Sequence, residues 1–272
     1  MGVCVKSWGD EVLRVGLVGF GRAGKSVASV LLNSDVTCLE WVVRRSASRE
    51  PQRVAEYLES HSDDPCKLIG LDNVEFERLF EAQPVDVIVD FSSANALDIY
   101  ADVARKYSVD IVSAISEYSP ERIRQLQDIA EHCRVVWSPN ITVGINFLMI
   151  AAKILQEIAP QADIEIVEEH FAAKPETSGT AKAIAECLGK VDEDIKSVRA
   201  GGIVGRHEVI FGFPFQTVRL MHDSISREAF GNGALFAIEH LASLEKGLYN
   251  MQDLMEPYIH EHFLRSKSGL TH

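Results

Sequence analysis

Three glycines, Gly19, Gly21 and Gly24, constrain this chain more than any other feature. They follow a short apolar run, VLRVGLV over residues 12–18, and precede Val27, Val30 and Leu31 at helical spacing. Strand, tight turn and helix in that order open a βαβ unit. The glycines meet three demands: a tight turn, close approach of backbone to a pyrophosphate, and near contact between helix and strand. The helix behind them turns unpaired N–H groups and the positive end of its dipole toward an anion. Gly19, Gly21, Arg22, Ala23 and Gly24 therefore form a candidate dinucleotide site, against the plainer reading of an ordinary glycine-rich loop.

The pattern continues in kind. A second strand, CLEWVV over 38–43, stops at Arg44 and Arg45, and a helical stretch follows Pro51. The apolar runs at 85–91, 109–114 and 134–137 alternate with helical segments at 94–106 and 120–132. Such alternation predicts a parallel, doubly wound sheet. About twenty residues past the glycines, an NAD enzyme places Asp or Glu against the ribose 2′-hydroxyl. Arg44 and Arg45 stand there instead, and guanidinium pairs well with phosphate, so NADPH is the expected cofactor, with NADH as the alternative. The competing reading is a pair of solvated arginines at a strand end.

After Asn140 the pattern changes. Phe147, Ile150, Ala151, Ile154, Leu155 and Ile158 predict the apolar face of one long helix stopped near Pro160, with a strand over 164–170 behind it. The runs at 207–213 and 217–225 predict an antiparallel hairpin through a corner at Phe213, Pro214 and Phe215. A terminal helical region runs from about Gly233 to Leu254 and is expected to pack back on the first domain. The expected fold class is α/β: an N-terminal Rossmann domain with a doubly wound parallel sheet, plus a smaller α+β domain with a mixed or antiparallel sheet. The first would hold NADPH over residues 1–140, completed by a C-terminal helix within 233–272; the second, 141–232, would serve substrate binding and oligomerisation.

A net charge of −13 argues against a nucleic-acid partner, which needs a basic face. It also means that an anionic ligand requires a local cationic pocket. Five cysteines without a CxxC pair fit reduced thiols in the cytoplasm rather than disulfides or zinc. No run suits a membrane span or a signal peptide, so no membrane partner is expected, and residues 1–11 read as a disordered leader. His260 and His262 flank Glu261, but no further ligands share a metal-binding spacing, so no metal is expected.

The densest chemistry lies between Glu168 and Ala181. A strand ends at His170, Lys174 follows, and Ser178, Gly179 and Thr180 open a helix. The Ser-Gly-Thr turn offers backbone N–H groups to a carboxylate, Lys174 adds positive charge, and His170 titrates in the range that moves protons. Taken alone, such a histidine is more often a satisfied core residue and such a turn only an N-cap.

The chain resembles the dihydrodipicolinate (4-hydroxy-tetrahydrodipicolinate) reductase family, whose hallmark Glu, His, Lys and Ser-Gly-Thr-Ala is matched by Glu168 or Glu169, His170, Lys174 and Ser178 to Ala181. The segments VDVIVDFSS, SPNITVGINFLM, VRAGGIVGRHEVIF and FGNGALFAIEHLASLEKGLYNMQDLM extend the likeness along most of the chain. The resemblance implies NADPH-dependent reduction of the cyclic imine dicarboxylate 4-hydroxy-tetrahydrodipicolinate to tetrahydrodipicolinate, toward diaminopimelate and lysine. It implies His170 as proton donor and acceptor, Lys174 as proton donor, and Ser178, Gly179 and Thr180 as the carboxylate clamp. It further implies cofactor contacts from Gly19 to Gly24, at Arg45, at Phe91 and Ser92, at Ser113, Ala114 and Ile115, and at Ser138, Pro139, Asn140 and Ile141. A homo-oligomer, tetramer or dimer, built through the C-terminal sheet is the expected assembly.

Four features depart from the family pattern. Phe171 replaces a second histidine, the stretch from Lys174 to Ser178 is one residue short, Ser113 to Ser116 replace a Gly-Thr-Thr-Gly turn, and the connection from Ala181 to Val198 is abbreviated. Two alternatives stay open on that ground: an NADPH-dependent reductase of a different imine in a specialised pathway, and a catalytically silent NADPH-binding protein.

Overall fold

The computed structural model describes residues 12–46, 53–62, 64–73 and 75–268, the side chains of residues 73 and 261–268 excepted. The expected leader over 1–11, Cys4 and the His262 side chain lie outside that set. The chain forms two compact units, Met1–Ile141 with Phe230–His272, and Thr142–Ala229.

The first unit begins β1 (Leu13–Val18), α1 (Arg22–Leu32), β2 (Thr37–Arg44), α2 (Val54–Tyr57), β3 (Lys67–Gly70), α3 (Phe76–Ala82) and β4 (Val87–Asp90). It continues α4 (Leu97–Tyr107), β5 (Asp110–Ser113), α5 (Pro120–Ala130) and β6 (Arg134–Trp137). Its strands are short runs of Val and Ile buried on both faces, as a parallel sheet covered by helices requires. Local signals set the joints. Ser119 caps α5 by accepting from the Arg122 N–H at 3.3 Å, with Pro120 at the first turn. Ser108, left-handed at φ 53°, ends α4 and turns the chain into β5.

The second unit runs α6 (Val143–Ile158), β7 (Asp163–His170), α7 (Gly179–Cys187), β8 (Ile195–Arg199), β9 (Arg206–Phe213) and β10 (Gln216–Asp223). Its sheet has the order β10-β9-β7-β8. The β7–β8 pair is parallel, with α7 as its crossover, while β7–β9 and β9–β10 are antiparallel. The mixed sheet and the hairpin match expectation; Phe215 takes a positive φ of 68° in the two-residue turn. Ile166, Val209 and Phe211 pack with Ala181, Ile184 and Ala185 of α7 and with α6.

The chain then returns to the first unit as α8 (Glu228–Leu241), β11 (Gly247–Tyr249) and α9 (Met251–Ser268). The first sheet is seven-stranded, in the order β11-β6-β5-β4-β1-β2-β3, and every pair is parallel. Among the described residues, no helix is long and apolar enough to cross a membrane.

Two expectations change. The helical region from Gly233 to Leu254 is two helices with β11 between them. Three residues are too few to show a period, and the ladder from Gly247–Tyr249 to Arg134–Val136 is a tertiary gain that local sequence cannot report. β3 escaped notice for the same reason. In α6, the stripe through Phe147 and Ile158 is not the core face: those two are 59% and 73% exposed, while Ile145, Leu148, Met149 and Ala152 are buried. This helix is apolar on more than one side, so its periodicity fits two faces, and the sheet selects one.

Candidate active site

Five neighbouring strands of the first sheet finish at one edge. Gly19 N–H donates to the Val43 carbonyl at 2.9 Å, Phe91 N–H to Val18 at 2.8 Å, Ala114 N–H to Asp90 at 3.0 Å, and Ser138 N–H to Ser113 at 3.0 Å. This rim gathers the glycine turn, Arg44, Phe91 and Ser92, Ser113 to Ile115, and Ser138 to Ile141; Arg45 follows β2 and is exposed. It is the carboxyl end of the strands, where open α/β sheets hold ligands.

The glycines divide the three demands. Gly19 has φ +102°, and a Cβ there would stand 2.7 Å from the Phe91 carbonyl, so the turn closes against the β4 loop. A Cβ on Gly24 would strike the Gly19 carbonyl oxygen. A Cβ on Gly21 would meet nothing within 4 Å, which leaves an open cradle at the start of α1. No acid sits in the first turn of α1 and no side chain caps it, so its N–H groups face that cradle uncontested. The buried Nε of Arg44 has no hydrogen-bond partner among the described residues. These features fit the pyrophosphate of a dinucleotide.

Beneath the rim, Asp90 is fully buried. Its carboxylate accepts from the Ser92 N–H at 2.9 Å, the Ser92 hydroxyl at 2.5 Å and the Tyr100 hydroxyl at 2.8 Å. Burial pushes its pKa up to about 6, against the pull of those bonds. Ser113 Oγ lies 2.9 Å from Tyr118 OH, so the next loop is tied down in similar fashion.

In the second unit, the strands set side chains in rows across one face of the sheet. Ile195, Ile166, Val209 and Leu220 make an apolar row, and one pleat further on come Ser197, Glu168, His207 and His222, then Arg199 and His170. Alternation puts the polar rows on the same side as the core, at its end.

Glu168 is the hub. Its Oε1 accepts from Arg199 at 2.7 Å, the Ser197 hydroxyl at 2.6 Å and the Ser178 N–H at 3.4 Å; its Oε2 pairs with Arg199 at 2.9 Å and with His170 Nδ1 at 2.5 Å. Burial alone would raise this carboxyl, but the bonds from Arg199, Ser197 and His170 hold it down to about 2. Of the two candidates, Glu168 rather than Glu169 is the one joined to His170, Arg199 and the Ser178 amide.

His170 is nearly buried, with the His207 ring edge-on at 5.3 Å. Burial, then His170 and His222, push His207 down to about 4, so it is neutral near pH 7. Lys174 is half-buried; its N–H donates to the Phe171 carbonyl at 3.0 Å, and its own carbonyl accepts from Arg199 Nε at 3.1 Å. Ser178 precedes α7 and Gly179 begins it, with open space where a Gly179 side chain would lie. Phe171, at the departure from the family pattern, is exposed. The structure thus brings His170 and Ser178 together through Glu168.

Sequence reasoning assigned no role to Arg199, Ser197 or His207. Arg199 and His207 both lie in VRAGGIVGRHEVIF, a stretch noted only as a family segment. Their signal was a His at the head of the apolar alternation of β9, before Val209 and Phe211, and an Arg at the end of the mostly polar β8, both beside a strand that ends in Glu-Glu-His.

The family model described as dihydrodipicolinate reductase, N-terminus, matches residues 13–141, and the model for the C-terminus of the same enzyme matches 141–255. A 4-hydroxy-tetrahydrodipicolinate reductase of Nitratidesulfovibrio vulgaris is 30% identical over 261 residues, 86% of this chain and 96% of the relative. One from Caldanaerobacter subterraneus is 32% identical over 196 residues, 64% of this chain and 78% of the relative. Among solved structures, a dipicolinate-bound dihydrodipicolinate reductase from a Paenisporosarcina species shares the fold, with TM-score 0.72 at 21% identity over 88% of this chain and 97% of that one. An amine dehydrogenase from Mycobacterium smegmatis has TM-score 0.64 at 12% identity, covering 88% and 95%. The chain belongs to the dihydrodipicolinate reductase family and is an NAD(P)H-dependent oxidoreductase of that type.

Proposed function

We propose that this protein reduces the cyclic imine dicarboxylate 4-hydroxy-tetrahydrodipicolinate to tetrahydrodipicolinate with NADPH, on the route to diaminopimelate and lysine. The observation that carries the reading is that one buried carboxylate, Glu168, grips both the His170 ring and the Ser178 amide. A proton donor and a carboxylate-binding turn are thereby built as one piece.

When bound, the nicotinamide supplies hydride to the conjugated imine. Before hydride arrives the 4-hydroxyl leaves as water, taking the proton that Lys174 offers, while His170 Nε2 accepts the adjacent ring C–H proton and so leaves the conjugated imine. After hydride addition His170 returns that proton from Nε2 to balance the added electron pair, and Lys174 stands as positive charge beside the acid groups. The amides of Gly179 and Thr180 hold a substrate carboxylate at the start of α7, where the helix dipole favours an anion, and Ser178, expected in the same clamp, instead anchors the turn through its bonds to Glu168 and His207. The first unit serves the nucleotide, with Arg44 and Arg45 taking the 2′-phosphate; the unpartnered Arg44 Nε supports this choice over NADH. The second unit serves substrate binding and assembly. Val198 and Met221, 43% and 54% exposed on the sheet face away from α6 and α7, support a homo-oligomer, tetramer or dimer, built through that face. Free thiols at Cys38, Cys66, Cys133 and Cys187 support work in the reducing cytoplasm.

The test is direct. Protein, NADPH and freshly made product of dihydrodipicolinate synthase are mixed and cofactor oxidation is followed. Rapid turnover that His170→Gln suppresses is expected. NADPH binding without turnover would move the assignment to a reductase of another imine, or to a silent binder.

A further inference from the structure

We propose that Glu168 is a positioning residue: it fixes the proton of neutral His170 on Nδ1, so that Nε2 is the atom that exchanges a proton with substrate, and it holds the Ser178 turn in register with that atom. This rests on the reading of His170 as the proton donor.

The donors and acceptors around Glu168 fix the tautomer. Five groups surround the Glu168 carboxylate, and four of them can only donate or are placed to donate: two Arg199 N–H groups, the Ser197 hydroxyl and the Ser178 amide. The Arg199 guanidinium forks both oxygens and, with the Ser197 hydroxyl, holds the carboxyl ionised, so it has no proton to donate and the fifth neighbour, His170 Nδ1, must be the donor. A neutral imidazole has one N–H, so Nε2 keeps the lone pair. A half-turn of the ring would swap Nδ1 for a carbon and abandon the carboxylate, so the orientation is fixed along with the tautomer. On the far side of the ring, Gly205 lies beside Nε2: a Cβ there would stand 3.0 Å from that nitrogen, so a side chain at this position would crowd it.

The proton balance follows. In the protonated ring the Nε2–H bond breaks as substrate takes the proton after hydride addition, and the neutral Nδ1–H ring remains bonded to Glu168. Arg199 cancels the carboxylate charge without competing for the Nδ1 proton, because guanidinium accepts none. The same carboxylate bonds the Ser178 amide, so a shift of Glu168 moves proton donor and clamp together.

Nitrogen NMR of the ring in unmodified protein, with His170→Gln to assign the signal, tests the tautomer without any activity. A neutral ring protonated at Nδ1 is expected; protonation at Nε2 overturns the proposal. In kinetics, Glu168→Gln can present either an acceptor or a donor to Nδ1. Its kcat should fall by about 10²–10⁴, with substrate KM changed only a few-fold and the kcat limb of His170 moved to lower pH. A cooperatively melting Glu168→Gln protein with kcat within about threefold of the parent and an unmoved limb sinks the proposal, while an inert His170→Gln protein keeps the underlying reading. If His170→Gln is itself active, that reading fails and the proposal goes with it. Should Glu168→Gln fail to fold, the tautomer measurement decides alone.

Discussion

Ser178 Oγ lies 2.8 Å from His207 Nε2, which ties the residue before α7 to the start of β9. Since His207 is neutral in the folded chain, with its pKa pushed down to about 4, this contact carries a pH signature. The unfolded chain binds a proton near pH 6.5 that the folded chain refuses until about 4. The associated stability is fully present above 6.5 and is lost as pH falls through that window, by up to about 3 kcal/mol. His207→Gln can still bond Ser178 but does not titrate. Denaturation series at several pH values should show the parent losing more stability than this variant between pH 6.5 and 4; parallel curves would refute the idea. Comparing the two proteins cancels Asp90, whose raised pKa acts in the opposite direction between its ordinary value and about 6.

The glycine turn separates binding from folding. Gly21→Ala adds a methyl where nothing lies within 4 Å, so the melting temperature without nucleotide should barely move while NADPH affinity drops tenfold or more, as read by fluorescence titration. Gly24→Ala drives a methyl into the Gly19 carbonyl and should lower both. Equal affinities for Gly21→Ala and the parent would remove the pyrophosphate from this cradle.

Arg44→Glu places a carboxylate at the end of β2, facing the position assigned to the 2′-phosphate. The ratio of kcat/KM for NADPH to that for NADH should fall by at least tenfold, mostly through the NADPH value. An unchanged ratio would return Arg44 to the status of a solvated strand end.

Gly16 and Trp41 form a size-matched pair in the first sheet. A Cβ at Gly16 would overlap the six-membered ring of Trp41, which is fully buried and donates its indole N–H to the Gln83 carbonyl at 3.1 Å. Gly16→Ala should cost about 1–3 kcal/mol by overpacking. Adding Trp41→Phe should make the combined loss smaller than the sum of the two single losses, measured as a double-mutant cycle of denaturation free energies.

Much of this molecule was legible in the order of its residues. The run into Gly19, Gly21 and Gly24, the alternating strands and helices up to Trp137, and the hairpin at Pro214 follow from short-range period and turn chemistry, which neighbours in sequence decide. The segment from Glu168 to Thr180 was recognisable because its chemically useful side chains sit within thirteen residues of one another. Tertiary structure decided the rest. β11 exists only because β6 offers it a ladder, and α6 shows two apolar faces of which the sheet buries one. Glu168 was distinguished from Glu169, and joined to Arg199 and His207, by strand register alone. The physical reason is common to all three: hydrogen bonds and burial between strands far apart in sequence depend on which residues are brought opposite one another. No local pattern along a single strand encodes that pairing.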